Sequence, residues 1–284
     1  MKKNYAFEMI KKMSKDPANK KIAADFAVAI PLLERVVSVG DNGECLTLAE
    51  RMTLIRMIPC NLHEDGKIEG ISSIDSSCGA CDFCQKMQMA AEKNPLIICK
   101  YCYDEKQERY RKGMAQRHAL TAAILSLVLF DISELATIPA TDTVREDSSG
   151  DVVNVIHARN YIRFSYAHSY ANVALWAKNV EAVTEAFDIE GKPQNMKFIQ
   201  SSIMIGKKAK LSKYADNTFT VYLTEEEVLA AIKNGANPCN GRKCKDCGMR
   251  CYKDGDDGWE KGTDIAELFR APKAVVKELL KLTA

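Results

Sequence analysis

Apolar residues follow a helical period through the first part of the chain. They lie at Phe7, Ile10, Met13, Ile22, Phe26, Ile30 and Leu33. Spacings of three and four residues put such side chains on one face of a helix. Pro17 and Pro31 are expected to break the helices, because proline lacks the amide hydrogen that a helix interior needs. The pattern predicts an N-terminal helical cap over residues 1–66.

From residue 67 onward, short strand-like runs alternate with helical stretches. The predicted strands are residues 67–74, 141–146, 172–177, 196–205 and 218–223. The predicted helices are residues 103–130, 152–170, 180–187 and 224–234, the last with Thr224 as its N-cap and Gly235 beyond its end. Such alternation is typical of βαβ units and a parallel sheet. We therefore predict an α/β fold, a partial (β/α) barrel over residues 67–235.

Two stretches lie outside this alternation. Residues 75–102 are predicted to be a loop. Residues 236–284 are predicted to be a cysteine-rich, metal-binding extension that follows the last strand and ends in a helix over residues 272–282. The turn-rich run GMRCYKDGDDGWEKGTD inside this extension is expected to be a surface excursion.

Composition and charge narrow the function classes. The chain has 284 residues, 46% of them hydrophobic, and 40 basic against 38 acidic side chains for a net charge of +2. This near-neutral balance argues against electrostatically driven binding of nucleic acid. No run approaches the ~18 apolar residues of a spanning helix, and the N-terminus lacks the apolar core of a secretory signal. We expect a cytoplasmic protein without a membrane partner.

Cysteine is the unusual residue type. Nine of the eleven cysteines fall in two groups, within residues 78–102 and 239–251. Disulfide frameworks belong to small exported chains, and this chain is large and has an odd number of cysteines. Cytosolic thiols two residues apart instead present thiolates to one metal ion or cluster. Cys45 and Cys60 stand alone and are expected to be buried and inert.

The first group has the spacing C-x2-C-x2-C-x14-C-x2-C and allows two partitions. Cys81, Cys84, Cys99 and Cys102 together have a spacing close to that of a zinc ribbon. Alternatively, Cys84, Cys99 and Cys102 bind three irons of a [4Fe–4S] cluster, and Cys78 and Cys81 are further candidates. An open fourth iron would bind S-adenosylmethionine and reduce its sulfonium.

The order of three features resembles the radical SAM superfamily. The cysteine loop follows the first predicted strand, Tyr101 precedes the last cysteine of the loop, and Ser149-Gly150-Asp151 follows the second strand like that superfamily's GGE turn. The resemblance implies a cluster on Cys84, Cys99 and Cys102, with Tyr101, Ser149, Gly150 and Asp151 binding the S-adenosylmethionine. The usual superfamily loop is C-x3-C-x2-C, whereas fourteen residues separate Cys84 from Cys99 here.

A second resemblance covers residues 71–270. It rests on the runs FCQKM, ICKYCYDEK, LWAKNVEAV, KPQNMKFIQSSIMIG, FTVYL and CNGRKCKDCGMRCYK, and it is to a family of uncharacterised phage-associated and bacterial proteins. The radical SAM resemblance implies an electron donor such as flavodoxin or ferredoxin. The substrate, whether a small molecule, a nucleotide or a peptide, is left open.

The second cysteine group is compact in sequence. Cys239, Cys244, Cys247 and Cys251 have the spacing C-x4-C-x2-C-x3-C, so four thiolates can close around one site. That count suits structural zinc or a second [4Fe–4S] cluster. If both groups bind zinc, the competing hypothesis is a non-enzymatic, zinc-stabilised interaction module.

Residues at the ends of the predicted strands are candidates to face a site. They are Arg145, Glu146, Lys178, Ser201 and Ser202. In an α/β barrel such positions line the mouth, because the loops that follow the strands build it.

Overall fold

Eight strands form one sheet in the computed structural model, which describes residues 4–80, 82–239, 243–253 and 257–283. The strands are β1 Asn61–Leu62, β2 Ser72–Ile74, β3 Thr143–Glu146, β4 Asn172–Ala177, β5 Met196–Ser201, β6 Asn217–Tyr222, β7 Asn237–Pro238 and β8 Asp264–Leu268. Their spatial order is β1-β2-β3-β4-β5-β6-β8-β7. Only β1 runs antiparallel to its neighbour, so the predicted α/β class with a mostly parallel sheet is confirmed.

Eleven α-helices lie in the described part of the chain. They are α1 Tyr5–Met13, α2 Lys20–Val39, α3 Leu48–Ile55, α4 Asp82–Lys93, α5 Tyr103–Tyr110, α6 Lys112–Leu127, α7 Ile132–Leu135, α8 Val155–Ala167, α9 Val180–Glu190, α10 Glu225–Lys233 and α11 Lys273–Thr283. The predicted cap at Thr224 is present as a capping box with Glu227. Such a cap is a local signal, which is why the sequence reveals it.

Three element predictions are wrong in ways that have local causes. Pro31 lies inside α2 and does not end it, because its side of the helix faces solvent. The predicted helix over residues 103–130 is two helices, broken at Arg111, where φ is −117° and ψ is 74°. The predicted loop over residues 75–102 contains the twelve-residue helix α4.

The second cysteine group precedes the last strand of the sheet rather than following it. β8 lies beyond the group in sequence and inserts between β6 and β7. The described parts of the turn-rich run are therefore not wholly a surface excursion, since Tyr252 is buried and the half-buried Trp259 packs in the same apolar cluster. Frequent glycine and aspartate concealed a strand that tertiary pairing stabilises.

The two faces of the sheet are covered by different material. Val144, Val173 and Phe198 point to one face, where the helices pack. Trp176 and Ile265 point to the other face, where the cysteine-rich segment packs. Alternate residues of a strand face opposite sides, so β4 and β5 contribute to both layers.

The cysteine-rich segment also links the two ends of the sheet. The turn before β2 carries Lys67, whose Nζ lies 2.9 Å from Glu267 Oε1 on β8. The amide of Cys244 donates to the carbonyl of Lys67 at 2.7 Å. Glu69 pairs with both Lys243 and Lys245. Strands from opposite ends of the sheet order are thus held close together. In the described segments, no helix has both the length and the apolar character needed to cross a membrane.

Candidate metal centre at the strand ends

The carboxyl ends of β2, β3 and β4 come together at one end of the sheet. The loop after β2 is joined to the loop after β3 where the amide of Ser76 donates to the carbonyl of Ser149 at 3.0 Å. Gly150 has φ +100°, and a Cβ there would lie 2.3 Å from the carbonyl oxygen of Ser76. Only glycine permits this close approach of the two loops.

Asp75 organises this end of the sheet through three hydrogen bonds. Its carboxylate accepts from Ser73 Oγ at 2.6 Å, from Ser148 Oγ at 2.5 Å and from the amide of Ser149 at 2.9 Å. The carboxylate therefore ties β2 to the Ser149-Gly150-Asp151 turn. The sequence pattern did not single out this residue.

Two cysteines meet directly above these loops. Cys78 Sγ and Cys102 Sγ are 3.6 Å apart, although 24 positions separate them in the chain. Asp104 joins them, and the two sulfurs and a carboxylate oxygen all lie within 4.8 Å of one another. Two thiolates and a carboxylate are a metal-binding donor set. In the described part of the chain, no other group of three or more cysteine, histidine or carboxylate ligands has its ligand atoms this close together.

The two thiols differ in acidity. The hydrogen bond from Cys78 lowers the pKa of Cys102 to about 7, against the effect of burial. The pKa of Cys78 is raised well above its ordinary value by the same hydrogen bond and by burial. Cys102 also lies at the start of α5, where the helix dipole favours a negative charge. Cys102 is thus the more acidic thiol of the pair.

Lys178 supplies the positive charge of this site. It follows β4, and burial alone would lower its pKa. Asp151 and the cysteines Cys99, Cys102 and Cys78 favour the charged ammonium, outweigh burial and raise that pKa. One ammonium group thus faces three sulfurs of the first cysteine group.

Asp151 is engaged by the backbone. Its carboxylate accepts from the amides of Val152 at 2.9 Å, Lys178 at 3.1 Å and Asn179 at 3.4 Å. It thereby binds the loop after β3 to the start of α9. Burial raises its pKa, and the charge of Lys178 opposes this rise.

The remaining candidates of the first group lie on other elements. Cys84 is buried on α4, and Cys99 lies in the short 3-10 turn Ile98–Tyr101. Tyr101 packs edge-on against Phe269 after β8, with ring centroids 5.3 Å apart. Cys81 lies outside the described residues. Cys78 and Cys102 are thus brought together, with Cys99 near the same lysine, while Tyr101 packs against Phe269 just after β8.

The N-terminal helix α1 packs on the cysteine loop. Met9 lies against Gly79, and Ser77 Oγ donates to Glu108 Oε2 at 2.9 Å. Glu108 also contacts His118 Nδ1 at 3.2 Å. This packing covers Cys78 from one side and leaves it buried.

The second cysteine group surrounds a cavity on the other face of the sheet. The cavity measures about 70 Å³. It is lined by the four cysteines Cys239, Cys244, Cys247 and Cys251, by Lys67, Arg145, Trp176, Tyr252 and Trp259, and by five further residues. Cys239 is held by a hydrogen bond from its amide to Ala266 of β8 at 2.7 Å. All four predicted ligands of this group therefore face one space.

Arg145 lies between the two cysteine groups. It comes from β3, and its guanidinium stacks over the Trp176 ring at 4.3 Å. Burial opposes its charge, while Tyr252 and Cys244 on one side and Asp104 and Asp75 on the other raise its pKa. Arg145 is thus within electrostatic range of residues from both sites.

No protein-family model matches the chain, and no curated protein or solved structure is detectably similar to it.

Several residues of these sites escaped the sequence reasoning. Asp104 stands two positions after Cys102, and that proximity was the available signal. Lys67 and Trp259 carried no signal, because their partners are distant in the chain. Glu146 was named as a strand end, but it is buried, and neither of its carboxylate oxygens has a hydrogen-bond partner.

Proposed function

We propose that this protein is a cytoplasmic radical SAM-type enzyme whose first cysteine group binds a [4Fe–4S] cluster. The observation that carries the proposal is the convergence of Cys78, Cys99 and Cys102 on Lys178 at the carboxyl ends of the strands. Active sites of parallel α/β folds form at that end, because the loops that follow the strands meet there.

Three thiolates rather than four suit this chemistry. When bound, such a cluster supplies an electron to the sulfonium of S-adenosylmethionine, which breaks a carbon–sulfur bond and yields methionine and a 5′-deoxyadenosyl radical. The influence of Cys78 on Lys178, which it shares with Cys99 and Cys102, favours Cys78 as the third ligand, whereas the sequence resemblance favours Cys84.

The surrounding residues have roles that follow from charge and packing. The Lys178 ammonium offsets the charge of the thiolates and would attract the carboxylate of a bound methionine group. Ser149 and Gly150 shape the floor, since Gly150 lets the loop approach Ser76. Helix α1 covers Cys78 and limits access of water, which protects reactive intermediates.

The partial barrel belongs to the same proposal. The ion pair between Lys67 and Glu267 supports a sheet that curls until its first and last parallel strands approach each other. A curled sheet would gather the strand ends around one mouth, where a small molecule, a nucleotide or a peptide would bind as substrate. An electron donor such as flavodoxin or ferredoxin would supply the reducing electron.

The test uses full-length protein reconstituted anaerobically with iron and sulfide. With dithionite and S-adenosylmethionine, we expect 5′-deoxyadenosine by liquid chromatography and a change in the electron paramagnetic resonance spectrum when the cofactor is added. Cys102→Ala should abolish both signals, and the matched control Cys45→Ala should retain them. Deoxyadenosine formation by Cys102→Ala at the rate of the control would refute the assignment.

A second candidate function rests on the 3.6 Å between Cys78 Sγ and Cys102 Sγ. Tetrahedral zinc with bonds of about 2.3 Å places its sulfur ligands about 3.8 Å apart. That distance favours a zinc-stabilised interaction module without catalysis. Such a protein would be colourless and stable in air, and it would contain zinc at the first group after reconstitution with both metals.

A further inference from the structure

We infer that the cavity beneath the sheet is a second metal site, in which Cys239, Cys244, Cys247 and Cys251 hold a four-iron, four-sulfide cluster rather than a zinc ion. This goes beyond the proposed function and does not depend on it, because the residues involved lie on the other face of the sheet.

The size of the cavity favours a cluster over a single ion. The cavity measures about 70 Å³. A water molecule needs only about 10–15 Å³ by the same measure, so a single ion would leave most of the space unfilled. A compact cluster of eight atoms matches the volume better than one ion does.

The distances between the four sulfur atoms also favour a cluster. In the described part of the chain, no three of these four sulfur atoms lie within 4.8 Å of one another. Zinc would require all four to be about 3.8 Å apart. Ligands of a cluster bind four different irons and so stand farther apart. The first group contrasts with this arrangement, since Cys78 and Cys102 are already 3.6 Å apart.

Two buried N–H donors beside the cavity lack hydrogen-bond acceptors. Arg145 Nε and Trp176 Nε1 are buried, and neither has a hydrogen-bond partner. Both side chains line this cavity. A buried N–H without an acceptor is costly, so the occupant is expected to carry acceptor atoms. Bridging sulfides of a cluster are such acceptors.

Positive charge completes the match. Lys67 lies beside both Glu267 and Cys239, and Arg145 lies beside Cys244. Four thiolates around a cluster form an anion, and these two cations face it. The guanidinium of Arg250 lies over the ring of Trp259, 4.2 Å from its centroid, and Trp259 lines the cavity together with Cys251.

The experiment tests the second group after three thiols of the first group have been removed. The full-length variant Cys78→Ala/Cys99→Ala/Cys102→Ala is reconstituted with iron, sulfide and zinc together, and its metals are measured. We expect about four irons and about four labile sulfides per chain. One zinc and no labile sulfide would overturn the inference. The proposed function is tested separately, because this variant lacks the three thiols to which that function is assigned.

Two further variants locate the cluster. Adding Cys239→Ala/Cys251→Ala should remove the iron, whereas adding the matched pair Cys45→Ala/Cys60→Ala should leave it in place. Trp176→Phe keeps the ring and removes the N–H, so it should retain the iron and lower the midpoint potential by removing a hydrogen bond to sulfur. An unchanged potential would show that the indole does not face the cluster and would overturn the placement.

Discussion

The two cysteine groups differ in their position in the fold, in the contacts between their sulfur atoms and in the charged residues beside them. The first group lies at the strand ends, with two sulfurs in contact and Lys178 beside them. The second group surrounds a cavity on the other face, next to Arg145 and Lys67. Cysteine spacing thus indicates metal binding in both places. The surrounding structure decides whether the sulfur atoms lie in contact, as in the first group, or around a cavity, as in the second.

The largest expected difference between the groups is thiol reactivity in metal-free protein. The hydrogen bond from Cys78 lowers the pKa of Cys102 to about 7, whereas burial raises the pKa of Cys251 to about 12. Because the thiolate is the nucleophile, and its intrinsic reactivity falls as its pKa falls, iodoacetamide should alkylate Cys102 roughly 100-fold faster than Cys251 at pH 7.5. Peptide mass spectrometry over a series of pH values measures both rates.

A control variant tests the cause of this difference. Cys78→Ala removes the hydrogen bond, so the alkylation midpoint of Cys102 should move above pH 7. Equal alkylation rates for Cys102 and Cys251 in the parent protein would contradict the comparison.

The next prediction concerns the loop contact under the first group. Gly150→Ala places a Cβ 2.3 Å from the Ser76 carbonyl oxygen in a left-handed conformation. It should cost about 3 kcal/mol or more, a fall in melting temperature of roughly 6–12 °C. The matched control is Gly206→Ala, where φ is +73° and nothing lies within 4 Å of the new Cβ, so only backbone strain of about 1 kcal/mol remains.

Thermal unfolding by circular dichroism measures both glycine variants. If the two lose the same stability, the loop contact contributes nothing beyond backbone strain. Iron binding by the second group should survive Gly150→Ala, because the substituted loop lies at the strand ends.

A smaller effect on stability is expected from Glu146, a buried carboxyl group at the end of β3. Burial and the neighbouring Asp147 raise the pKa of Glu146 well above its usual range. The folded protein therefore keeps the proton where the unfolded chain releases it, and stability falls as the pH rises above about 4.3. Glu146→Gln should raise the melting temperature at pH 8 by roughly 2–4 °C or more, and less at pH 5.

The exposed Glu185→Gln serves as the control for this titration and should change the melting temperature little at either pH. A gain from Glu146→Gln that is the same at pH 5 and pH 8 would show that its ionisation does not destabilise the fold.

The smallest expected effect lies beside the second group. Lys67→Met removes the ion pair with Glu267, whose lysine side chain is 33% exposed. Solvent screening limits the loss in the free energy of unfolding to about 1 kcal/mol. The exposed pair of Lys213 and Asp188 provides the comparison, and Lys213→Met should cost less. Urea unfolding curves of the two variants decide the order.

Much of the fold was predictable because its signals are local. β4 matches its predicted bounds, and α10 begins at its predicted cap, because alternation and capping need only neighbouring residues. β8 escaped prediction, since it follows a turn-rich run and is stabilised by pairing with β6. The candidate site divides in the same way, as the cysteines were visible and their partners Asp104, Lys67 and Trp176 were not.

The sequence by itself determined the class of fold, the presence of two cysteine groups and the residue types that could bind metal there. Only the tertiary structure decided that Cys78 meets Cys102, that Lys178 faces the first group, and that the second group surrounds a cavity. The physical reason is distance along the chain. Capping and periodicity act over a few residues, whereas these contacts join strands and loops that only sheet pairing brings together.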